Sequence, residues 1–224
     1  MKKGTLNIFD IDGTLFNSDT AVHLKRNGKS VGKLSTSQFN KHKLGDDEEF
    51  DFHEFMSGAY FRKAIRPINK MLDKANRIIS RQTGQSRSII VTARQDFHDH
   101  HEFLDAFRDH GFPIDQVYVE RAGNMVRGQN ATRNMRPKIA KGAVIRRYIK
   151  LGYYDRIRMW DDDPENLNML IKLGQIHPEV KVEAFLVDPD SGNTTRYGNI
   201  REEIYVPDVI HRTIRTTLRA MLYK

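Results

Sequence analysis

The apolar positions of this chain fall into short runs and helix-spaced patterns that alternate along most of its length. Leu6-Asn7-Ile8-Phe9 is a nearly continuous apolar run, as expected of a strand buried on both faces of a parallel sheet. Four further strand candidates follow. They are Ser88-Ile89-Ile90-Val91-Thr92, Gln116-Val117-Tyr118-Val119, Arg156-Ile157-Arg158-Met159-Trp160 leading into Asp161, and Val182-Glu183-Ala184-Phe185-Leu186-Val187. Between them apolar residues recur at helical spacing: Ile68, Met71, Leu72, Ala75, Ile78 and Ile79; then Phe97, His101, Leu104, Ala106 and Phe107; then Val144, Ile145, Tyr148 and Ile149. Strands alternating with helices predict an α/β fold, a Rossmann-like three-layer arrangement with a parallel sheet covered on both faces. In such sheets ligands sit at the carboxyl ends of the strands.

The stretch from Asn17 to Tyr60 breaks this alternation. Val22 to Val31 carries an Asn27-Gly28 step between strand-like runs, which predicts a hairpin. The run Asp46-Asp47-Glu48-Glu49 follows, and then Phe50, Phe52, Phe55 and Phe61, whose need for burial argues for an ordered insertion. At the other end, Asp208 to Lys224 places Ile210, Ile214, Leu218 and Met221 on one face with Arg212, Arg215 and Arg219 off it. That pattern predicts a last helix packing on the core.

Composition narrows the class. The 224 residues are 38% hydrophobic and 29% charged, which fits a globular chain. No apolar run is long enough to span a bilayer, and Met1-Lys2-Lys3-Gly4 leads straight into a strand-like run instead of a signal sequence. The absence of cysteine excludes disulfides, thiolate metal sites and cysteine nucleophiles. A cytoplasmic protein with no membrane association is the expectation. The net charge of +8 points to an anionic partner, nucleic acid or nucleotide first, or else serves solubility alone.

The chemistry concentrates where the first strand ends. Asp10 and Asp12, one residue apart, leave the strand on the same side. Two such carboxylates call for a cation, a shared proton, or both. The phrase Asp10-Ile11-Asp12-Gly13-Thr14-Leu15 resembles the first motif of the haloacid-dehalogenase-like (HAD) phosphatases. Val91-Thr92-Ala93-Arg94 resembles their second motif, and Met159-Trp160-Asp161-Asp162-Asp163-Pro164-Glu165-Asn166 their fourth. Lys141, in Lys141-Gly142-Ala143-Val144, is the choice for the third, with Lys138 as the alternative. The spacing from Lys141 to Asp161 is similar to that in the phosphatase module of phage polynucleotide kinase/phosphatases and related phage HAD proteins.

This resemblance implies a phosphatase core over residues 1–16 and 61–224, with a flap or small cap at 17–60. It implies Asp10 as the nucleophile forming an aspartyl-phosphate and Asp12 as the acid and base. It implies Mg²⁺ as cofactor, held by Asp10, Asp161, Asp162 and the Asp12 carbonyl. Thr92, the Ala93 backbone and Lys141 would hold the phosphoryl group. Arg94 could reach the substrate or pair with Asp96. Asp163 and Pro164 read instead as the cap and first residue of a helix. The implied substrate is a nucleic-acid 3′-phosphate or a nucleotide, with a 5′-nucleotidase or small-metabolite phosphatase as the alternative. A non-catalytic nucleic-acid-binding protein is the third reading. The tract His98-Asp99-His100-His101-Glu102 offers only two ligands per helix face and reads as helix surface.

Overall fold

The computed structural model describes residues 3–35, 38–39, 42–126 and 137–198. In chain order the first six strands are β1 (Gly4–Phe9), β2 (Phe16–Ser18), β3 (Val22–Arg26), β4 (Lys29–Leu34), β5 (Glu48–Asp51) and β6 (Ile65–Pro67). They are followed by β7 (Arg87–Thr92), β8 (Tyr118–Arg121), β9 (Tyr154–Asp161), β10 (Lys181–Val187) and β11 (Thr194–Tyr197). The described helices are α1 (Gly58–Ala64), α2 (Asn69–Ser80), α3 (His100–Arg108), α4 (Pro137–Lys150) and α5 (Pro164–Ile176).

The main sheet has six strands in the order β11-β10-β9-β1-β7-β8. All its pairings are parallel except the β10–β11 edge. β1 lies between β7 and β9, with Phe9 beside both Ile90 and Trp160. Alternation along the central strands then builds two cores. Phe9, Ile90 and Trp160 face α2 and α3, meeting Met71, Leu72, Ala75, Phe103 and Phe107. Leu6, Ile8, Ile89, Val91 and Met159 face α4 and α5, meeting Val144, Ile145, Leu167 and Leu170. The α/β class and the covered, mostly parallel sheet are as the periodicity predicts.

The boundaries shift where packing overrides pattern. Gln116 closes a 3₁₀ turn, Ile114–Gln116, so β8 begins only at Tyr118. Phe97 precedes α3, which starts at His100, yet it stacks on Phe103 at 4.4 Å and so still joins the core. β11 has no counterpart in the predicted strands; Thr194-Thr195-Arg196-Tyr197 has too few apolar positions to announce an edge strand.

Within residues 17–60 the chain forms a second, three-stranded antiparallel sheet, β4-β3-β5. Its hairpin turns at Asn27 (φ 50°) and Gly28 (φ 75°), the left-handed pair that a two-residue turn demands. β2 and β6 pair antiparallel and carry the chain out of the core and back. The phenylalanines divide. Phe61 is fully buried in the main core against Phe103 and Phe107. Phe50, Phe52 and Phe55 are only half-buried and cover one another, ring on ring. The predicted C-terminal helix, Asp208 to Lys224, lies outside the described residues.

Candidate active site

Three neighbouring parallel strands, β7, β1 and β9, end at the same edge of the sheet and deliver Thr92, Asp10 and Asp161 there. Alternation continues past β1, because Phe9 and Ile11 pack into the same core and turn Asp10 to the other side. The fourth contributor is Lys141, on the second turn of α4, with only 1% of its surface exposed. Its Nζ stands 2.9 Å from Asp10 Oδ1 and 2.9 Å from Asp161 Oδ2. Lys138, one turn earlier, lies at the surface and pairs with Glu165 at 2.8 Å. Of the two candidate lysines, the structure therefore brings Lys141 to the carboxylates.

Asp161 is fully buried and both its oxygens accept hydrogen bonds from the protein. Oδ2 accepts from Lys141, while Oδ1 accepts from the Asp163 N–H and from Asn166 Nδ2, both at 2.9 Å. Asp163 caps α5 by accepting from the Glu165 N–H, and Pro164 opens the helix, so this pair is structural as its sequence suggests. Asn166 is a contributor the sequence reading missed. Its place five residues after Asp161, on the first turn of the helix that Asp163 caps, is the signal that could have found it.

Asp162 differs from Asp161, for among the described residues only its own backbone N–H donates a hydrogen bond to its carboxylate. Burial pushes its pKa up to about 7, with Asp161 adding to the rise and Lys141 opposing it. Burial likewise holds Asp10 well above the usual carboxylate range, against the pull of Lys141. Burial works against the Lys141 ammonium too, but Asp10 and Asp161 outweigh it and hold its pKa above the ordinary lysine value. Oxygens of Asp10, Asp161 and Asp162 all lie within 4.8 Å of one another. One lysine cannot neutralise three clustered carboxylates, and an all-oxygen donor set of this kind suits a hard divalent cation that keeps some of its waters. Gly13 (φ 71°) makes room for it, since a Cβ there would sit 2.4 Å from Asp162 Oδ2.

Asp12 is occupied elsewhere. Arg94 Nε donates to its Oδ2 at 2.8 Å and Arg94 Nη2 to its Oδ1 at 2.6 Å. Of the two roles open to Arg94, the pairing with Asp96 is corrected: Arg94 pairs with Asp12, and Asp96 pairs with Arg121 at 2.6 Å. The same Arg94 donates to Ser18 and Thr20, and Phe55 and Phe61 stack their rings on its guanidinium at 4.9 and 4.6 Å.

Thr92 is buried, and its Oγ1 accepts from the Arg94 N–H at 3.1 Å, leaving its own O–H free to donate. Ala93 is exposed at the turn. Gly123 packs beneath it so closely that a Cβ would meet Ala93 O at 2.3 Å. The histidine tract is surface, with His98, His100 and His101 exposed. Its Asp99 instead accepts from the Gly58 and Ala59 N–H groups at 2.6 and 2.8 Å, tying α1 to α3.

Comparison of the chain with family models, with characterised proteins and with solved structures finds no match. Among the described residues no helix is long and apolar enough to cross a membrane.

Proposed function

We propose that this chain is a Mg²⁺-dependent phosphomonoesterase that works through an aspartyl-phosphate on Asp10. The observation that carries the reading is the buried Lys141 ammonium bridging Asp10 and Asp161, beside the Asp162 carboxylate, which takes no side-chain donor among the described residues, and the hydroxyl of Thr92. A nucleophilic carboxylate, a fixed cation, a cation-binding carboxylate and a hydroxyl donor meet at one sheet edge, which is the equipment phosphoryl transfer needs.

Asp10 and Asp162 would hold Mg²⁺, with Asp161 completing the acidic set and anchoring Lys141. Held there, such an ion would supply positive charge against the phosphoryl oxygens and would favour the ionised form of Asp10. The Asp10 oxygen attacks phosphorus as the alkoxide leaves, while Lys141 and the Thr92 O–H hold phosphoryl oxygens. Asp12 supplies the proton to the leaving oxygen and takes one from the water that hydrolyses the intermediate. Both Asp12 oxygens accept from Arg94, so proton transfer through Asp12 requires substrate to draw Arg94 off it. The phosphoryl oxygens are the natural new acceptors for that guanidinium.

The substrate is a nucleic-acid 3′-phosphate or a nucleotide, which the net charge of +8 favours. A small-metabolite or 5′-nucleotide substrate is the second reading. Phe55, from the inserted segment, covers the Arg94 guanidinium and so brings that segment to the rim of the site.

Phosphate release with Mg²⁺ from a matched panel tests this. The panel holds a 3′-phosphorylated and a 5′-phosphorylated oligonucleotide, nucleoside 3′- and 5′-monophosphates, and an aryl phosphate. Preference for the oligonucleotide 3′-end supports end processing, and preference for mononucleotides supports the second reading. No release from any member, with salt-sensitive oligonucleotide binding, would mean a binding protein instead.

A further inference from the structure

Arg156 and Arg158 stand out in the main sheet. They alternate with buried Ile157 and Met159 on β9, a strand paired on both sides, and so face the helix-covered side that Trp160 shares. Under them, between the sheet and α2, lies a cleft of about 480 Å³. α2 and the turn after it add Lys74, Arg77 and Arg81 to its wall. Among the described residues one carboxylate reaches these five cations: Glu183 stands 3.1 Å from Arg156 and 3.8 Å from Arg158. Among the described residues Lys74, Arg77 and Arg81 have no ion-pair partner. The crowding registers on Lys74, whose pKa is pushed below the ordinary lysine value by burial, then by Arg77 and Arg158.

The floor makes a second, independent demand. Asn7 is 4% exposed and Trp160 1%, and both line the cleft. The Asn7 Oδ1 and Trp160 Nε1 atoms are buried without a hydrogen-bond partner, as is Arg158 Nε. Such groups cost free energy while unpaired. Five cations that share one carboxylate among the described residues, and unpaired polar atoms on residues lining the same cleft, ask for one occupant: anionic, polar, and larger than one phosphate.

We propose that this cleft is a binding site for a small molecule carrying two or more phosphate groups, separate from the carboxylate centre. Asn7 precedes Asp10 by three residues, which puts the floor about 10 Å down the strand from the site, toward its amino end. The occupant is an effector and not the substrate, since none of the site residues lines the cleft. The concave shape and the buried floor favour a small molecule over a nucleic-acid backbone, which would be met by exposed side chains alone.

The chain has one tryptophan, Trp160, so its fluorescence reads this floor directly. Inorganic tripolyphosphate is titrated into the full chain in EDTA at fixed ionic strength, which leaves the carboxylate centre without a cation. A saturable change with half-saturation below about 1 mM is expected. It should weaken about tenfold in Arg77→Gln/Arg156→Gln, which loses two charge-assisted contacts, and persist in Asp10→Asn. Arg81→Gln, at an exposed and unpaired position, gives an independent reading should the double variant melt early. The proposal is overturned if no saturable change occurs, if both arginine variants match the native chain, or if sulfate gives the same response. A single-stranded oligonucleotide that binds there more tightly than tripolyphosphate would overturn it in favour of a polymer track.

Discussion

Replacing Lys141 by methionine keeps the volume of its stem and removes only the charge. The ammonium touches two buried carboxylates at 2.9 Å each. At an effective dielectric of about 20, each contact is worth roughly 6 kcal/mol of Coulomb attraction before desolvation. Most of that gain is cancelled by the cost of burying the charges. What the variant leaves behind is a set of buried carboxylates without their cation, and breaking a buried pair this way costs about 3–5 kcal/mol. The loss should depend on pH in a definite sense. Asp10 and Asp162 already have raised pKa values, the latter about 7, and both rise further once Lys141 is gone. A carboxyl whose folded pKa lies above its unfolded value destabilises the fold as pH rises from about 4 through that folded value. Lys141→Met should therefore cost little near pH 4.5 and its full amount at pH 8. Urea unfolding followed by the single tryptophan measures it. Mg²⁺ at pH 8 should restore part of the loss, and in an Asp10→Asn background the cost should shrink. A loss under about 1 kcal/mol, or one equal at both pH values, would refute the reasoning.

Other outcomes follow from the same geometry. For the native chain without metal, stability should fall between pH 4 and 7, and Mg²⁺ affinity should rise over that window, with protons released on binding; calorimetry in two buffers at pH 6 counts them, and none released would contradict the raised carboxyls. Gly13→Ala forces a methyl onto Asp162 at 2.4 Å and should weaken Mg²⁺ about tenfold, whereas Gly28→Ala, at φ 75° in open space, should cost about 1–2 kcal/mol of backbone strain and leave Mg²⁺ affinity alone. Arg94→Gln removes the partner of Asp12 and the cation under Phe55 and Phe61; the expected result is at least a tenfold fall in kcat and a displaced acid limb of the pH–rate profile, and an unaltered profile would separate Arg94 from Asp12 chemistry.

Much of this was legible in the sequence because local chemistry and tertiary packing agree there. β1 is apolar enough to be read directly, and its end fixes Asp10. The Asn27-Gly28 turn needs only its own φ values. Lys141 is distinguishable from Lys138 by spacing to Asp161, which the structure translates into a buried side chain that reaches Asp161 from α4. What escaped depends on approach between distant segments. Arg94 meets Asp12 across 82 positions, and no local pattern in Thr92-Ala93-Arg94 says so. The need of Phe50, Phe52, Phe55 and Phe61 for burial predicts an ordered insertion, but hydrophobicity does not reveal whether a ring meets helices, as Phe61 does, or other rings, as the half-buried three do. The Arg156-Ile157-Arg158 alternation was read as a strand, correctly, but its meaning needed α2 to bring Arg77 and Lys74 over the same face. Asn166 was passed over because its amide acts through Asp161.

The claim that Asp10 is the nucleophile of a Mg²⁺-dependent phosphatase is tested most directly by one comparison. Phosphate release from an aryl phosphate is measured for the native chain and for Asp10→Asn, each with Mg²⁺ and with EDTA. The account predicts release by the native chain with Mg²⁺ alone, and a loss of at least about a thousandfold in Asp10→Asn with its fold and Mg²⁺-dependent substrate binding kept. Release that survives in Asp10→Asn, or that proceeds unchanged in EDTA, would contradict it.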